Sequence, residues 1–193
     1  MTELHLAVII GSVRQQRFGP VVANWFLDAA ARHGRFTVDL IDVADVPLPL
    51  ALPAGPGEPV PPELHDVSAR LDRADAFVVV TPEYNHSYPA ALKHLIDWHH
   101  TEWHAKPVGF VSYGGLGGGL RAVEHLRQVF AETHSVTVRD GVSFDQHWAK
   151  FGTDGRLLDP EGPDGAAKTL LDELVWWAEA LQNARARRPY AER

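Results

Sequence analysis

Along the chain, short apolar runs alternate with stretches of helical period. Residues 4–10, LHLAVII, form a nearly unbroken apolar run that stops at Gly11. Such a run predicts a strand buried on both faces. Val22, Trp25, Phe26 and Ala29 then recur at helical spacing, and the helix they predict closes near Gly34. Residues 36–41 alternate enough to be a second strand, near a sheet edge. Leu64, Val67 and Leu71 share one face of a helix over 63–74, and Ala76 to Val80 is a third, wholly apolar strand. Ala91, Leu92, Leu95 and Ile96 mark a helix over 90–98, with Pro89 in its first turn and Ser87 as its N-cap. Residues 107–112 read as a fourth strand, followed by a helix carrying Leu120, Val123, Leu126 and Phe130. Residues 135–139 read as a fifth strand. The stretch 141–165 has no period, and its Phe144, His147, Trp148 and Phe151 are candidate exposed aromatics. A last helix runs from 165 to about 187, with Ala167, Leu170, Leu171, Leu174, Ala178 and Leu181 toward the core. Trp176 and Trp177 are adjacent, so they point about 100° apart and at least one leaves the core stripe.

The order is βαβαβαβαβα. Regular alternation of this kind predicts a doubly wound parallel sheet with right-handed crossovers. Five strands favour the flavodoxin-like order 2-1-3-4-5: a three-layer α/β sandwich around a five-stranded parallel sheet. Half of the fourteen prolines (Pro47, Pro49, Pro53, Pro56, Pro59, Pro61 and Pro62) lie between 42 and 62. That stretch is a loop rather than a domain linker, because neither side is complete alone. One domain over residues 1–193 is the expectation.

Composition narrows the classes. At 45% hydrophobic, 193 residues can bury a full core. No apolar run approaches the ~20 residues of a membrane span. The N-terminus runs directly into a strand without the features of a secretory signal, so a cytoplasmic location is expected. There are no cysteines, which excludes disulfides, thiolate metal sites and cysteine catalysis. A net charge of −7 argues against a general nucleic-acid or anionic-membrane binder. Arg185, Arg187, Arg188 and Arg193 read as a solvated helix end that suits the helix dipole.

Candidate chemistry sits in three strand-to-helix loops. In a doubly wound sheet such loops lie at the carboxyl edge, where ligands bind. The first, Gly11-Ser-Val-Arg-Gln-Gln-Arg-Phe-Gly-Pro20, has the layout of an anion cradle: loop N–H groups, a helix N-terminus, Ser12 and Arg14. It is neither a Walker loop nor a Gly-x-Gly-x-x-Gly turn. A solvated loop with its arginines in water is the plain alternative. The second, Pro82-Glu-Tyr-Asn-His-Ser-Tyr-Pro89, is stiff and aromatic, and suits a flat polar ring; the alternative is an ordinary crossover. The third, Tyr113-Gly-Gly-Leu-Gly-Gly-Gly119, permits close backbone approach or a tight turn. His99, His100, Glu102 and His104 invite a metal reading, but their spacing matches no common zinc pattern. A polar helix end and loop is the preferred account.

Gly11-Ser12-x-Arg14, Pro82-Glu83-Tyr84-Asn85-x-Ser87-x-Pro89-Ala-x-Leu92-Lys93 and Ser112-Tyr113-Gly114-Gly115 together resemble the NADPH-dependent FMN reductase family. That family comprises flavodoxin-like reductases of quinones, chromate and azo dyes. The resemblance spans about residues 4–182, and its most specific part is the Glu-Tyr-Asn loop with the helix after it. It implies non-covalent FMN, with Ser12 and Arg14 at phosphate-binding positions and the turn from Gln15 through Arg17, Phe18 and Gly19 completing the cradle. It implies that Pro82, Glu83, Tyr84 and Asn85 meet the isoalloxazine ring, largely through backbone groups. Ser112, Tyr113, Gly114 and Gly115 then lie near the ribityl chain and the pyrimidine end of the ring. The chain departs from the family at Arg17, where many relatives carry Ser, and at Gly19, where they carry Asn. Arg17 serves the phosphate in place of that hydroxyl, or reaches for the NADPH phosphate.

The resemblance implies an NAD(P)H-dependent oxidoreductase with no catalytic side chain of its own, because flavin N5 carries the hydride. NADPH or NADH and a small acceptor (a quinone, flavin, azo compound or metal oxyanion) would share one flavin face, which predicts ping-pong kinetics. It also implies a homodimer or a dimer of dimers, with the paired tryptophans and the 144–151 aromatics as contact candidates. The rival readings are a flavodoxin-like electron carrier and a flavin-binding sensor, both without NAD(P)H turnover. A phosphatase or kinase role for the first loop lacks a carboxylate cluster for Mg²⁺.

Overall fold

The computed structural model describes residues 3–52 and 59–190. Pro53, Pro56 and Arg193 lie outside them. Strands β1 (Leu4–Ile10), β2 (Phe36–Asp42), β3 (Ala76–Pro82), β4 (Pro107–Tyr113) and β5 (Val136–Phe144) form one parallel sheet in the order β2-β1-β3-β4-β5. The expected order is observed. Helices α1 (Gly19–His33) and α5 (Glu161–Arg187) cover one face of the sheet. The other face carries α2 (His65–Arg73), α3 (Ala90–Trp98) and α4 (Leu120–Glu132). β3 and β4 are buried at every position, which is why their sequences show no alternation.

Six expectations need correction. The fifth strand is nearly twice its expected length. A bulge interrupts the β4–β5 register between Val108 and Phe110, and a side chain at Gly141 would press on the Phe110 carbonyl at 2.9 Å. The polar Arg139-Asp140 pair that disguises the strand sits at this bulge. Its two N–H groups donate to the Glu173 carboxylate of α5, at 3.2 and 2.9 Å, rather than to a strand. The longer strand carries Phe144 into the core, where it meets Trp25 and Phe151 edge to face. Phe144 and Phe151 are therefore buried, not exposed; only Trp148 lies open, with His147 half-buried.

The last helix begins at Glu161, a turn before Gly165. Pro163 is tolerated in a first turn that needs no N–H partners, and Glu161 and Asp164 complement the dipole there. Asp164 also accepts from Trp25 Nε1 and Arg32, both at 2.9 Å, which ties this turn to α1. Ser87 is not the cap of α3; Pro89 occupies the N-cap, and Ser87 Oγ lies 2.9 Å from His125 Nδ1 on α4. The 99–104 stretch is the expected helix end and loop, with His100 and Thr101 exposed, but it also reaches into the core. His99 is buried between Leu95 O and Ser68 Oγ, and Trp103 is fully buried.

Arg185 does not face water. It pairs with Asp75 at 3.0 Å and donates to the Ala105 carbonyl at 2.6 Å. Asp75 also accepts from His5 N and Gln182 Nε2, so one carboxylate locks β1, the α2–β3 turn and α5 together. Nearby, the buried Lys106 donates to Leu71 O and Asp72 O at 3.0 and 2.7 Å, capping the end of α2.

Burial pushes the Lys106 ammonium down from 10.5 to about 8. The unfolded chain then holds that proton more tightly than the folded one between those values, so stability should rise with pH across this window. Burial pushes the Tyr113 phenol upward, so stability should fall once the pH passes the phenol's ordinary value of 10.0. Denaturant unfolding at pH 7.5 and 9.5 should show a gain on the order of 1–2 kcal/mol from Lys106. Lys106→Met should remove that gain; an equal gain in the variant would assign it to other groups.

Candidate active site

The strand register brings four loops to the carboxyl edge. Ile10 is level with Val80, Pro82 with Tyr113, and Tyr113 with Phe144. The strand order reverses between β1 and β3, which opens a crevice between the first and second loops.

In the first loop, Ser12 is fully buried and its Oγ accepts from the Tyr113 hydroxyl at 3.3 Å. Arg17 folds back: its Nη1 and Nη2 grip the Asp42 carboxylate at 2.5 and 2.6 Å, and Nη1 also donates to Ser12 O at 2.7 Å. The ion pair raises the Arg17 pKa further. Phe18 packs against His147, Phe151 and Tyr113. Gly19 starts α1 where a side chain would come within 2.5 Å of Ser12 Oγ and 2.8 Å of Ile10 Cγ2. What remains exposed is Val13 to Gln16, including the Arg14 guanidinium. Among the described residues, the N–H groups of Val13 to Gln16 donate to no protein acceptor at hydrogen-bond geometry. A run of free N–H groups beside a cation is the donor set that a phosphate needs.

The second loop owes its stiffness to a tight turn. Tyr84 and Ser87 exchange N–H···O bonds of 2.8 and 3.0 Å, and Asn85 and His86 between them both have positive φ, 47° and 73°. Two left-handed central residues make a type I′ turn, and Asn tolerates that conformation better than most. Pro82 ends β3, and Glu83 N donates to the Tyr113 carbonyl at 3.1 Å. The Glu83 carboxylate turns away from the crevice. It takes Arg121 Nη1 at 2.6 Å and Arg121 N at 3.3 Å, in the first turn of α4. Gly119, the N-cap residue of α4, offers no side chain, so Glu83 caps that helix from another loop.

The third loop is shaped from inside. Ser112 Oγ and Ser143 Oγ both donate to Gly118 O, at 2.8 and 2.9 Å. Gly118 and Gly119 take positive φ, 57° and 87°. A side chain at Gly118 would collide with Ser143 Oγ, and one at Gly119 would meet Ser112 Cβ at 2.6 Å. Gly114 is buried and Gly115 exposed.

A fourth loop, after β5, completes the rim. No period in the sequence places its aromatics at this edge. Gln146 N donates to Gly115 O, and His147 N to Gly114 O. His147 Nδ1 stands 3.0 Å from the same Gly114 carbonyl, which can only accept, so Nδ1 carries the proton. Trp148 then lies over Gly115, 3.9 Å from where a side chain on that glycine would begin.

The predicted residues thus divide by depth. Arg14, Tyr84, Asn85 and Gly115 line the surface of the edge. Ser12, Arg17, Glu83, Ser112 and Tyr113 hold the loops by their side chains, while Phe18, Gly19, Pro82 and Gly114 pack behind them. Glu83→Ala should cost about 1–2 kcal/mol of unfolding free energy, because it removes a cap and leaves Arg121 unpaired. Arg121→Ala should cost less, since the Arg121 side chain is half exposed. Urea unfolding of both variants checks the order; equal costs would remove the capping role.

Comparison with known proteins gives the family. Residues 4–149 match the family model described as NADPH-dependent FMN reductase. An NAD(P)H-dependent FMN reductase of Schizosaccharomyces pombe is 40% identical over 121 residues, 59% of this chain and 60% of that protein. A quinone reductase of Escherichia coli is 33% identical over 178 residues, 90% of each chain. Among solved structures, FerB, an NAD(P)H:(acceptor) oxidoreductase of Paracoccus denitrificans, superposes with a TM-score of 0.74 over 92% of this chain and 98% of its own, at 24% identity. A flavodoxin of Streptococcus pneumoniae matches at 0.55 over 89% of this chain and 98% of its own, at 16% identity. Both superpositions show the flavodoxin-like fold. With three quarters of its length matched by one family model, the chain belongs to the NADPH-dependent FMN reductases, oxidoreductases that work with FMN and NAD(P)H.

Proposed function

We propose that this chain passes hydride from NAD(P)H through bound FMN to a small acceptor such as a quinone, flavin, azo compound or metal oxyanion. One observation carries the proposal: the free, exposed N–H groups of Val13 to Gln16, beside Arg14, lie in the loop after β1, next to where the strand order reverses. Arg14 and those N–H groups would hold the FMN phosphate. The backbone from Pro82 to Asn85, and that of Gly114 and Gly115, would hold the ring and the ribityl chain. When bound, the flavin supplies the redox chemistry by taking a hydride and giving it up again. The chain supplies a rigid frame: the type I′ turn, the Glu83–Arg121 pair and the buried Tyr113 keep the four loops in register.

The relatives support the acceptor class, since their names are FMN reductase and quinone reductase. Donor and acceptor using one flavin face in turn makes the mechanism ping-pong. The protein works as a homodimer or a dimer of dimers, and the exposed Trp148 and Trp176 are the proposed contacts. Among the described residues no helix is long and apolar enough to cross a membrane, and we place the enzyme in the cytoplasm.

A visible spectrum of the purified protein, recorded before and after anaerobic NADPH, tests the reading. A flavin spectrum that bleaches within seconds, and returns with a quinone, is the expected result. A bound flavin that ignores both NADPH and NADH would make the chain a carrier or a sensor. Parallel lines in double-reciprocal plots should follow; intersecting lines from an obligatory ternary complex would end the ping-pong mechanism. Light scattering at micromolar concentration should give a dimer or larger, and a monomer would refute the assembly.

A further inference from the structure

Arg17 is a cation in the loop proposed to hold the phosphate, so a direct role in anion binding is the natural assumption. The geometry points elsewhere. We propose that Arg17 is a positioning residue: gripping Asp42, it clasps the first loop to the end of β2, and it does not itself bind the anion. The proposal rests on the FMN reading above and specifies how this chain's phosphate loop is held.

Three of the five guanidinium N–H groups are already engaged, two on Asp42 and one on the Ser12 carbonyl. Asp42 is fixed from the other side as well, since it is level with Ile10 in the sheet and its Oδ1 accepts from Ala44 N at 3.0 Å. The side chains of Arg17 and Asp42 are only 17% and 16% exposed. Pulling the guanidinium toward an anion would leave a largely buried carboxylate unpaired, and such a charge is costly. The pair also cancels its own charge. An anion in the loop therefore meets Arg14 as the uncancelled cation among the described residues 11–19.

The clasp closes a short ring. Arg17 donates to the carbonyl of Ser12, five residues back, and Gln16 just before it takes a left-handed φ of 52°. Within that ring lie Val13 to Gln16, whose N–H groups are free. Without the clasp, nothing in the side-chain bonding of residues 13–16 fixes where those N–H groups point. The ring thus does for the backbone donors what a phosphate would otherwise have to do on binding. Organising donors before the ligand arrives raises affinity by lowering the ordering cost.

Asp42→Asn separates the two roles by sign. If Arg17 binds phosphate, this change frees its guanidinium and removes a negative charge nearby, so FMN should bind more tightly. If Arg17 is a clasp, FMN should bind more weakly, although the charge change favours an anion. Titration of the flavin-free chain, followed by flavin fluorescence, should show FMN affinity lowered by about tenfold or more. Riboflavin, which lacks the phosphate, should change less than about twofold. Arg17→Lys keeps the charge but cannot grip both oxygens, and it should lose affinity in the same direction. Unchanged or tighter FMN binding in Asp42→Asn overturns the clasp.

A second readout does not depend on flavin. Trypsin should cut after Arg14 at least about fivefold faster in Asp42→Asn and Arg17→Lys than in the parent chain, because local opening exposes the loop. Equal cutting overturns the clasp. If the parent chain binds neither FMN nor riboflavin, the cofactor reading fails, and the trypsin result alone decides the role of Arg17.

Discussion

Tyr113 is the point on which the four loops converge. It is the last residue of β4 and is buried. Its carbonyl accepts from Glu83 of the second loop, and its hydroxyl donates to Ser12 of the first. Its ring packs against Phe18 and against His147 of the fourth loop. The third loop begins at the next residue. A buried phenol without a partner would be costly, so the Ser12 bond is what permits Tyr113 to sit there. The glycine at position 19 then has a physical account. The tyrosine hydroxyl lies 3.1 Å from the place where a side chain on Gly19 would begin. Helix α1 can approach this hydroxyl only if residue 19 has no side chain.

Charge is handled in the same way on both sides of the crevice. Arg17 is cancelled by Asp42, and Glu83 by Arg121. Each pair joins a loop to a neighbouring element. The loops gain rigidity this way without adding a net field. Arg14 is left with its charge uncancelled at the cradle, which suits a site for one phosphate group better than a broad basic surface would. The overall charge of −7 points the same way, since a net negative charge repels polyanions.

Most of the fold was readable because buried parallel strands write themselves as apolar runs. β1, β3 and β4 are of this kind, and the alternation with helices followed from them. β5 was half hidden because its Arg139-Asp140 bulge is satisfied by Glu173, thirty-odd residues away, and no local pattern reports such a bond. Arg185 was misread for a similar reason: its partner Asp75 lies far back in the chain. The three site loops were visible in their residue types and order. Which side chains face inward was not. Ser12, Arg17 and Glu83 have the chemistry of ligands, and only the distances to Tyr113, Asp42 and Arg121 show what their side chains hold within the chain. The fourth loop escaped because a histidine and a tryptophan in an aperiodic stretch carry no signal of where the stretch lies.

The second loop shows why this edge is held so firmly. Asn85 and His86 both sit in the left-handed region, which costs roughly 1–2 kcal/mol per non-glycine residue. A hairpin turn bearing that strain in isolation would open. Here the reciprocal Tyr84–Ser87 bonds close it, Ser87 and His125 tie its far strand to α4, and Glu83 ties its near strand to the same helix. Helix α4 therefore grips both ends of the turn and leaves its tip exposed. Under the function proposed above, a flat ring held mainly by backbone groups would need those groups in fixed places, since they have no rotamers with which to adapt. The strain is the expected companion of a backbone-built site, and it persists because the neighbouring elements leave the turn no other conformation.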